Sequence, residues 1–144
     1  MKRVQSMKWW HAVEDPGALE SMYSVLPELA DVSILSVAMQ RDGPTVLIRL
    51  ILPVFPDQPP VRWRHGYNAA ILELRLFGVS GLLMKGWTND NIGTVTLVRE
   101  AASIELKISG PGVLFSANAI AVDISHVKGY QRDDPHQQQP IAKT

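Results

Sequence analysis

The sequence has no cysteine, no excess of either charge and no long apolar run, and each absence removes a class of protein. Without cysteine, the chain forms neither disulfides nor thiolate metal sites. Fourteen basic residues balance 14 acidic ones, so no overall field attracts the chain to nucleic acid or to an anionic membrane. No stretch approaches the roughly 18 apolar residues of a membrane span, and Trp9-Trp10-His11 does not open the apolar core of a signal peptide. We therefore expect a cytoplasmic protein that has neither a nucleic acid nor a membrane as partner.

The composition and length indicate one globular domain. The chain has 144 residues, of which 46% are hydrophobic and 19% charged. A chain of this size and composition can bury a hydrophobic core without covalent cross-links. After Tyr130 the sequence becomes polar and proline-containing, with little to pack on a core. We predict a single β domain over residues 1–130 and a disordered tail over 131–144.

Residues 15–26 carry the signals of one short N-terminal helix. Asp15 is a capping residue type, Pro16 suits a first helical position, and Pro27 ends the segment. Apolar residues follow at helical spacing: Leu19, Met22, Tyr23 and Leu26. The pattern predicts an amphipathic helix that lies against a sheet.

From residue 32 onwards the apolar residues alternate with a period of two, which is typical of half-buried strands. The predicted strands cover 32–40, 45–52, 69–77, 79–85, 94–99, 103–109, 113–117 and 120–127, with strong turn signals at Arg41–Pro44 and Gly110–Gly112. Seven or eight short strands favour a mainly β fold. We expect an antiparallel β-sandwich or a curled half-barrel, with the helix covering one open face or end.

A proline-rich segment at 53–60 interrupts the strands. Four of its eight residues are proline, which donates no hydrogen bond to a sheet and holds the chain extended. The segment is therefore predicted to be a rigid crossover or an exposed recognition surface.

No pattern of residues indicates catalysis, a metal or a cofactor. The four histidines are His11, His65, His126 and His136, and none lies within five residues of another. There is no Gly-x-Ser-x-Gly nucleophile motif and no phosphate-binding glycine loop. We expect no enzyme; a hydrolase would require His65 or His126 to meet a serine or an aspartate in the fold.

Three aromatic residues lie at strand borders or in loops, namely Trp63, Tyr67 and Trp87. One interpretation is that the rings close the ends of the core. The other is a contact surface, because tryptophan, tyrosine and arginine anchor protein interfaces. A third possibility belongs to a different class: a module that binds a sugar or lipid on these aromatic rings.

One order of motifs is distinctive. Arg41–Arg49 leads into the run Phe55-Pro56-Asp57-Gln58-Pro59-Pro60, then Trp63 and Tyr67-Asn68; Phe77-Gly78-Val79, Gly86-Trp87 and Val122-Asp123-Ile124-Ser125 follow. This order resembles the immunity protein 50 family of bacterial polymorphic toxin systems over about residues 10–130. The resemblance implies a cytoplasmic bacterial protein that protects its own cell by binding a cognate toxin domain, without catalysis or cofactor.

For such a partner, the loops with interface-type residues are the candidate contact surface. The predicted contact residues are Asp57, Arg62, Trp63, Trp87, Asn89 and Asp90. The sequence indicates neither the toxin's identity nor the oligomeric state.

Overall fold

The dominant element of the fold is one antiparallel sheet. The computed structural model describes residues 8–63 and 66–132. The strands are β1 (Val32–Gln40), β2 (Thr45–Ile51), β3 (Ala69–Phe77), β4 (Ser80–Lys85), β5 (Asn91–Glu100), β6 (Ser103–Ser109), β7 (Leu114–Ala119) and β8 (Ala121–Tyr130). They form a single sheet in the order β4-β7-β6-β5-β1-β2-β3-β8. The mainly β prediction is confirmed; the sandwich is not, because all eight strands belong to one open sheet.

The local hairpins form as their alternation predicts. β1 pairs with β2 across the Arg41–Pro44 turn, and β5 pairs with β6. In β2 the residues Val46, Ile48 and Leu50 are buried, and β6 alternates in the same way. These strands therefore have one face on the core and one that faces solvent; the solvent side of the sheet is here called the outer face.

The sheet curls at the two places where the chain passes directly from one strand into the next, between β3 and β4 and between β7 and β8. β3 runs into β4 past Gly78, and β7 runs into β8 through Ile120, whose N–H donates to the carbonyl of Phe77 at 2.8 Å. Gly78 has a φ of +62°, and a Cβ there would lie 2.6 Å from Ile120 Cδ1, so only glycine fits. β6 and β8 come into contact although four strands separate them in the sheet order. The curl encloses one core.

The N-terminal segment covers this core. Trp9 lies in a 3₁₀ turn (Trp9–Ala12) and is buried, with its indole N–H donating to the carbonyl of Pro27 at 2.9 Å. The N–H of Glu14 donates to the carbonyl of Val122 in β8 at 2.8 Å. The segment is thus attached both to the core and to the β8 edge of the sheet.

The helix predicted over residues 15–26 is not confirmed. Only Gly17–Glu20 forms a single α-helical turn. The apolar face is nevertheless real, since Leu19 and Tyr23 are buried. Beyond this turn the carbonyl of Met22 accepts from the N–H of Gln58 at 2.9 Å and the N–H of Ser24 donates to Asp57, so these groups bond to the proline-rich segment instead of to a further helical turn.

The strands share one cluster of buried side chains, which includes Phe115, Ile48 and Leu72. Most of the tail predicted over 131–144 lies outside the described residues, which end at Arg132. No helix in the described part of the chain is both long enough and apolar enough to cross a bilayer.

Candidate functional site

The six predicted contact residues lie in two separate segments. Asp57, Arg62 and Trp63 belong to the crossover segment (residues 53–63), which leads from β2 towards β3. Trp87, Asn89 and Asp90 belong to the β4–β5 loop (residues 86–90). The two segments differ in what their side chains contact.

The crossover segment is held to the N-terminal segment by Asp57. Its carboxylate accepts hydrogen bonds from the Ser24 N–H at 2.9 Å and from the Ser24 hydroxyl at 2.5 Å. The side-chain amide of Gln58 adds a bond to the Ser24 hydroxyl at 3.2 Å. The hydrogen bonds from the Ser24 hydroxyl and N–H lower the pKa of Asp57 below its ordinary value. Asp57 is exposed, but its carboxylate oxygens are already bonded within the protein.

Tyr23 makes a second attachment to the crossover segment. Its hydroxyl donates to the carbonyl of Val54 at 2.5 Å. Burial, with a smaller contribution from the charge of Asp57, raises the pKa of Tyr23 above its ordinary value. The phenol therefore stays protonated and keeps donating at any physiological pH.

Trp63 is a core residue. Only 3% of its surface is exposed, and the centroid of its ring lies 6.2 Å from the ring centroid of Phe55 and 6.4 Å from that of Tyr67. A Cβ on Gly129 would lie 2.6 Å from the Trp63 ring, so the indole packs directly on the β8 backbone. The interpretation that this ring closes the end of the core is the one that the structure favours. Its neighbour Arg62 is exposed.

The backbone of the β4–β5 loop is held in place by the buried side chain of Asn91. This residue is only 5% exposed, and its side-chain amide accepts from the Thr88 N–H at 2.8 Å and donates to the Thr88 carbonyl at 2.6 Å. Gly86 has a φ of +77° and touches the backbone of Gly112 so closely that no side chain fits. The loop is therefore well defined, without relying on its outward side chains.

Three of the predicted contact residues lie exposed on this loop. Trp87 is 41% exposed, and Asn89 and Asp90 are also exposed. The side chains of Asn89 and Asp90 make no hydrogen bond to any residue within 8–63 and 66–132. An indole and two polar groups thus face solvent from a fixed backbone.

The outer face of the sheet connects this loop to the region around Arg62. Ile92, just after the loop, pairs with Ser33 of β1, and further along the sheet Ile71 of β3 pairs with both Ile51 and Lys128. These residues lie on five neighbouring strands, β5-β1-β2-β3-β8. At about 4.8 Å per strand the row spans roughly 20 Å, which is within the reach of one partner.

A cleft beside the end of β8 was not predicted from the sequence. It has a volume of about 260 Å³ and is lined by Arg62, Trp63, Tyr67, His126, Val127, Lys128 and Gly129. The available signal was the period of two in β8, which places His126 and Lys128 on one face. The approach of Arg62 to that strand is non-local, so no short pattern indicates it.

The outer-face charges beside the cleft are paired within the sheet. Arg75 binds Asp123 through two hydrogen bonds, at 3.1 and 3.2 Å, and this pairing raises the pKa of Arg75. Glu73 contacts Arg49 at 3.7 Å and accepts from the Ser125 hydroxyl at 3.0 Å. Because each of these charged groups already has a partner within the sheet, the arrangement indicates a structural role.

The alternative chemistries find little support in the geometry. In the described part of the chain no three His, Asp or Glu side chains come together as metal ligands. The Ser125 hydroxyl donates to Glu73, not to His126, and His65 lies outside the described residues. Trp63 and Tyr67 are ring neighbours, but no described ring contact joins them to Trp87. The three rings do not form one platform for a sugar or lipid.

Comparison with known proteins supplies the family. No curated protein and no solved structure matches the chain. One family model does match, immunity protein 50, over residues 15–130. That range contains all eight strands, the crossover segment and the β4–β5 loop. On this match over most of its length, the chain belongs to the immunity protein 50 family.

Proposed function

We propose that the protein is an immunity protein that binds a cognate toxin domain of a bacterial polymorphic toxin system and neutralises it by contact. The observation that carries the proposal is the family match over residues 15–130. The proposed setting is the bacterial cytoplasm, where the partner is the toxin domain and neither catalysis nor a cofactor is needed.

The form of the β4–β5 loop supports a binding function. Trp87 and its polar neighbours are held outward by the buried amide of Asn91. A loop that is ordered before binding loses less conformational entropy when a partner docks. Exposed tryptophan contributes a large contact area with only two rotatable bonds, so it is a suitable anchor.

We assign the proposed contact surface to the exposed candidates Trp87, Asn89, Asp90 and Arg62. Asp57 and Trp63 are assigned a supporting role, because the carboxylate of Asp57 is bonded to Ser24 and the Trp63 ring is buried. The row of outer-face residues between the two segments allows one partner to reach both.

Co-expression tests the proposal. The proposed partner, a cognate toxin domain, is expressed alone, with this chain, and with a Trp87→Ala/Asn89→Ala variant. We expect this chain to restore growth and to co-purify with the toxin domain, and the variant to protect less. Continued toxicity with both proteins folded and no complex formed would contradict the proposed function.

A matched control separates loss of contact from loss of folding. Lys107→Ala/Glu105→Ala changes two outward residues of β6, away from both candidate segments. Growth protection equal to that of the unchanged chain is expected for this control.

A further inference from the structure

The cleft beside β8 combines an open strand edge with positive charge. β8 is the last strand of the sheet and pairs with β3 alone among the described strands. One part of its outer edge is already occupied, since Glu14 donates its N–H to the carbonyl of Val122. An extended segment of this chain thus already uses the edge that the cleft leaves open further along.

The hydrogen-bond pattern shows which backbone groups face the cleft. The N–H of Leu52 donates to the carbonyl of Ala70, so the peptide groups of Ala70 face β2 and those of Ile71 face β8. Ile71 pairs with Lys128, so the peptide groups of Lys128 face β3. Alternation then directs the N–H and C=O of Val127 and Gly129 towards the open edge.

The hydrogen bonding at the end of β8 agrees with this alternation. Tyr130 is two residues beyond Lys128, and its carbonyl accepts from the N–H of Asn68 at 3.1 Å, on the β3 side. No residue of 8–63 or 66–132 outside the sheet ladder is bonded to the backbone of Val127 or Gly129. Gly129 is buried, so Val127 is the residue of this edge that, within the described part of the chain, presents an unbonded donor and acceptor in strand geometry.

The charged side chains that line the cleft itself are of one sign. Arg62 and Lys128 line the cleft, and the described lining contains no carboxylate. Neither residue takes part in the ion pairs found among the described residues. Because the chain as a whole is neutral, this local charge is not a consequence of a basic composition. An acidic partner is the complementary one.

The shape favours a peptide segment over a small molecule. The cleft volume of about 260 Å³ is below the roughly 300–1,000 Å³ that is usual for small-ligand pockets. Tyr67, 41% exposed, forms an aromatic wall beside the free backbone groups. Main-chain pairing together with one or two side-chain contacts is how strand addition recognises a partner.

We infer that the β8 edge at Val127 is where an extended acidic segment of the toxin domain docks. The segment pairs with the free backbone groups of β8 and places its carboxylates against Arg62 and Lys128. This inference rests on the proposed function and names the chemistry of the partner at one part of the contact surface.

Charge reversal is the first test. The affinity of the toxin domain is measured by calorimetry for the unchanged chain, for Arg62→Glu/Lys128→Glu, and for the control Arg41→Glu/Lys107→Glu, which changes the same charges at exposed positions away from the cleft. We expect the cleft variant to bind at least about tenfold more weakly and the control to bind nearly as well as the unchanged chain. Thermal midpoints confirm that both variants are folded.

Amide hydrogen exchange tests the strand pairing without any substitution. In the complex, exchange of the Val127 amide should slow at least about tenfold, because its N–H then donates to the partner. Binding by the unchanged chain, with equal affinity of the cleft variant or with an unprotected Val127 amide, would overturn the inference and leave the proposed function standing. A folded toxin domain that does not bind the unchanged chain would remove both.

Discussion

The crossover segment and the β4–β5 loop contain similar residues, but these residues have opposite roles in the structure. Each has a tryptophan, an aspartate and turn-forming neighbours. Trp63 of the crossover segment is 3% exposed, whereas Trp87 of the loop is 41% exposed. Asp57 is bonded to Ser24, whereas the side chain of Asp90 faces solvent. The crossover segment holds the N-terminal segment on the sheet, and the loop leaves its side chains exposed to solvent.

The difference lies in what anchors each segment. The crossover segment uses Asp57 and Trp63 as anchors, so these two residues are not available for binding, and Arg62 alone of its three candidates remains exposed. The loop is anchored by a residue just outside it, the buried Asn91, and its outward residues remain available. Residue types alone make both segments candidates for a contact surface. The contacts that anchor each segment show which side chains support the fold and which remain exposed.

Replacement of the two tryptophans should give the largest contrast. Trp63→Ala empties a buried site packed against Phe55, and we expect it to lower the free energy of unfolding by about 3–5 kcal/mol. Trp87→Ala removes a half-exposed ring and should cost about 1 kcal/mol or less. Urea unfolding measures both. Equal losses of unfolding free energy for the two variants would contradict the contrast between a buried and an exposed tryptophan.

The second contrast lies within the β4–β5 loop. Asn91→Ala leaves the backbone N–H and C=O of Thr88 without partners, and we expect a loss of about 1–3 kcal/mol in the free energy of unfolding. Asn89→Ala, two residues away and exposed, should change it by no more than about 0.5 kcal/mol. If Asn89→Ala proves as costly as Asn91→Ala, the anchoring role is not specific to Asn91.

Tyr23→Phe tests the attachment of the crossover segment to the core. The change removes the hydroxyl that donates to Val54 and keeps the ring, so a loss of about 0.5–1.5 kcal/mol is expected. Thermal unfolding near neutral pH is the measurement, because the raised pKa keeps Tyr23 protonated there. A midpoint equal to that of the unchanged chain would show that the hydrogen bond contributes nothing.

The smallest expected effect is the acid sensitivity of the Asp57–Ser24 contact. Folding lowers the pKa of Asp57, so its contribution is present above the unfolded pKa of about 3.9 and is lost as the pH falls through the lower, folded value. The stability gap between the unchanged chain and Asp57→Ala should therefore be larger at pH 7 than well below pH 3.9. A gap of the same size at both pH values would mean that the charge of Asp57 is not involved.

The parts of the fold that depend on local alternation follow from the sequence. The β1–β2 and β5–β6 hairpins form, the first across its predicted turn at Arg41–Pro44, because the period of two and the turn residues act over a few neighbouring positions. The helix over 15–26 does not extend beyond one turn, since Gln58 bonds to the carbonyl of Met22 from 36 positions along the chain. No helical pattern contains that information.

The candidate contact residues divide in the same way, into features that a local pattern indicates and features that depend on distant contacts. The exposure of Asn89 and Asp90 is a property of a turn, and the sequence indicates it locally. The burial of Trp63 depends on Gly129, and the cleft depends on Arg62 meeting β8. Both are contacts between distant parts of the chain, so they become visible only in the folded structure.

The most direct test of this division compares two variants for stability and for toxin binding together. Thermal midpoint and affinity for the toxin domain are measured for Asp57→Ala and for Asn89→Ala/Asp90→Ala. The account predicts that Asp57→Ala lowers the midpoint but binds normally at temperatures where it is folded, whereas the loop variant keeps its midpoint and binds more weakly. The reverse pattern, with Asp57→Ala losing affinity at an unchanged midpoint and the loop variant binding normally, would contradict it.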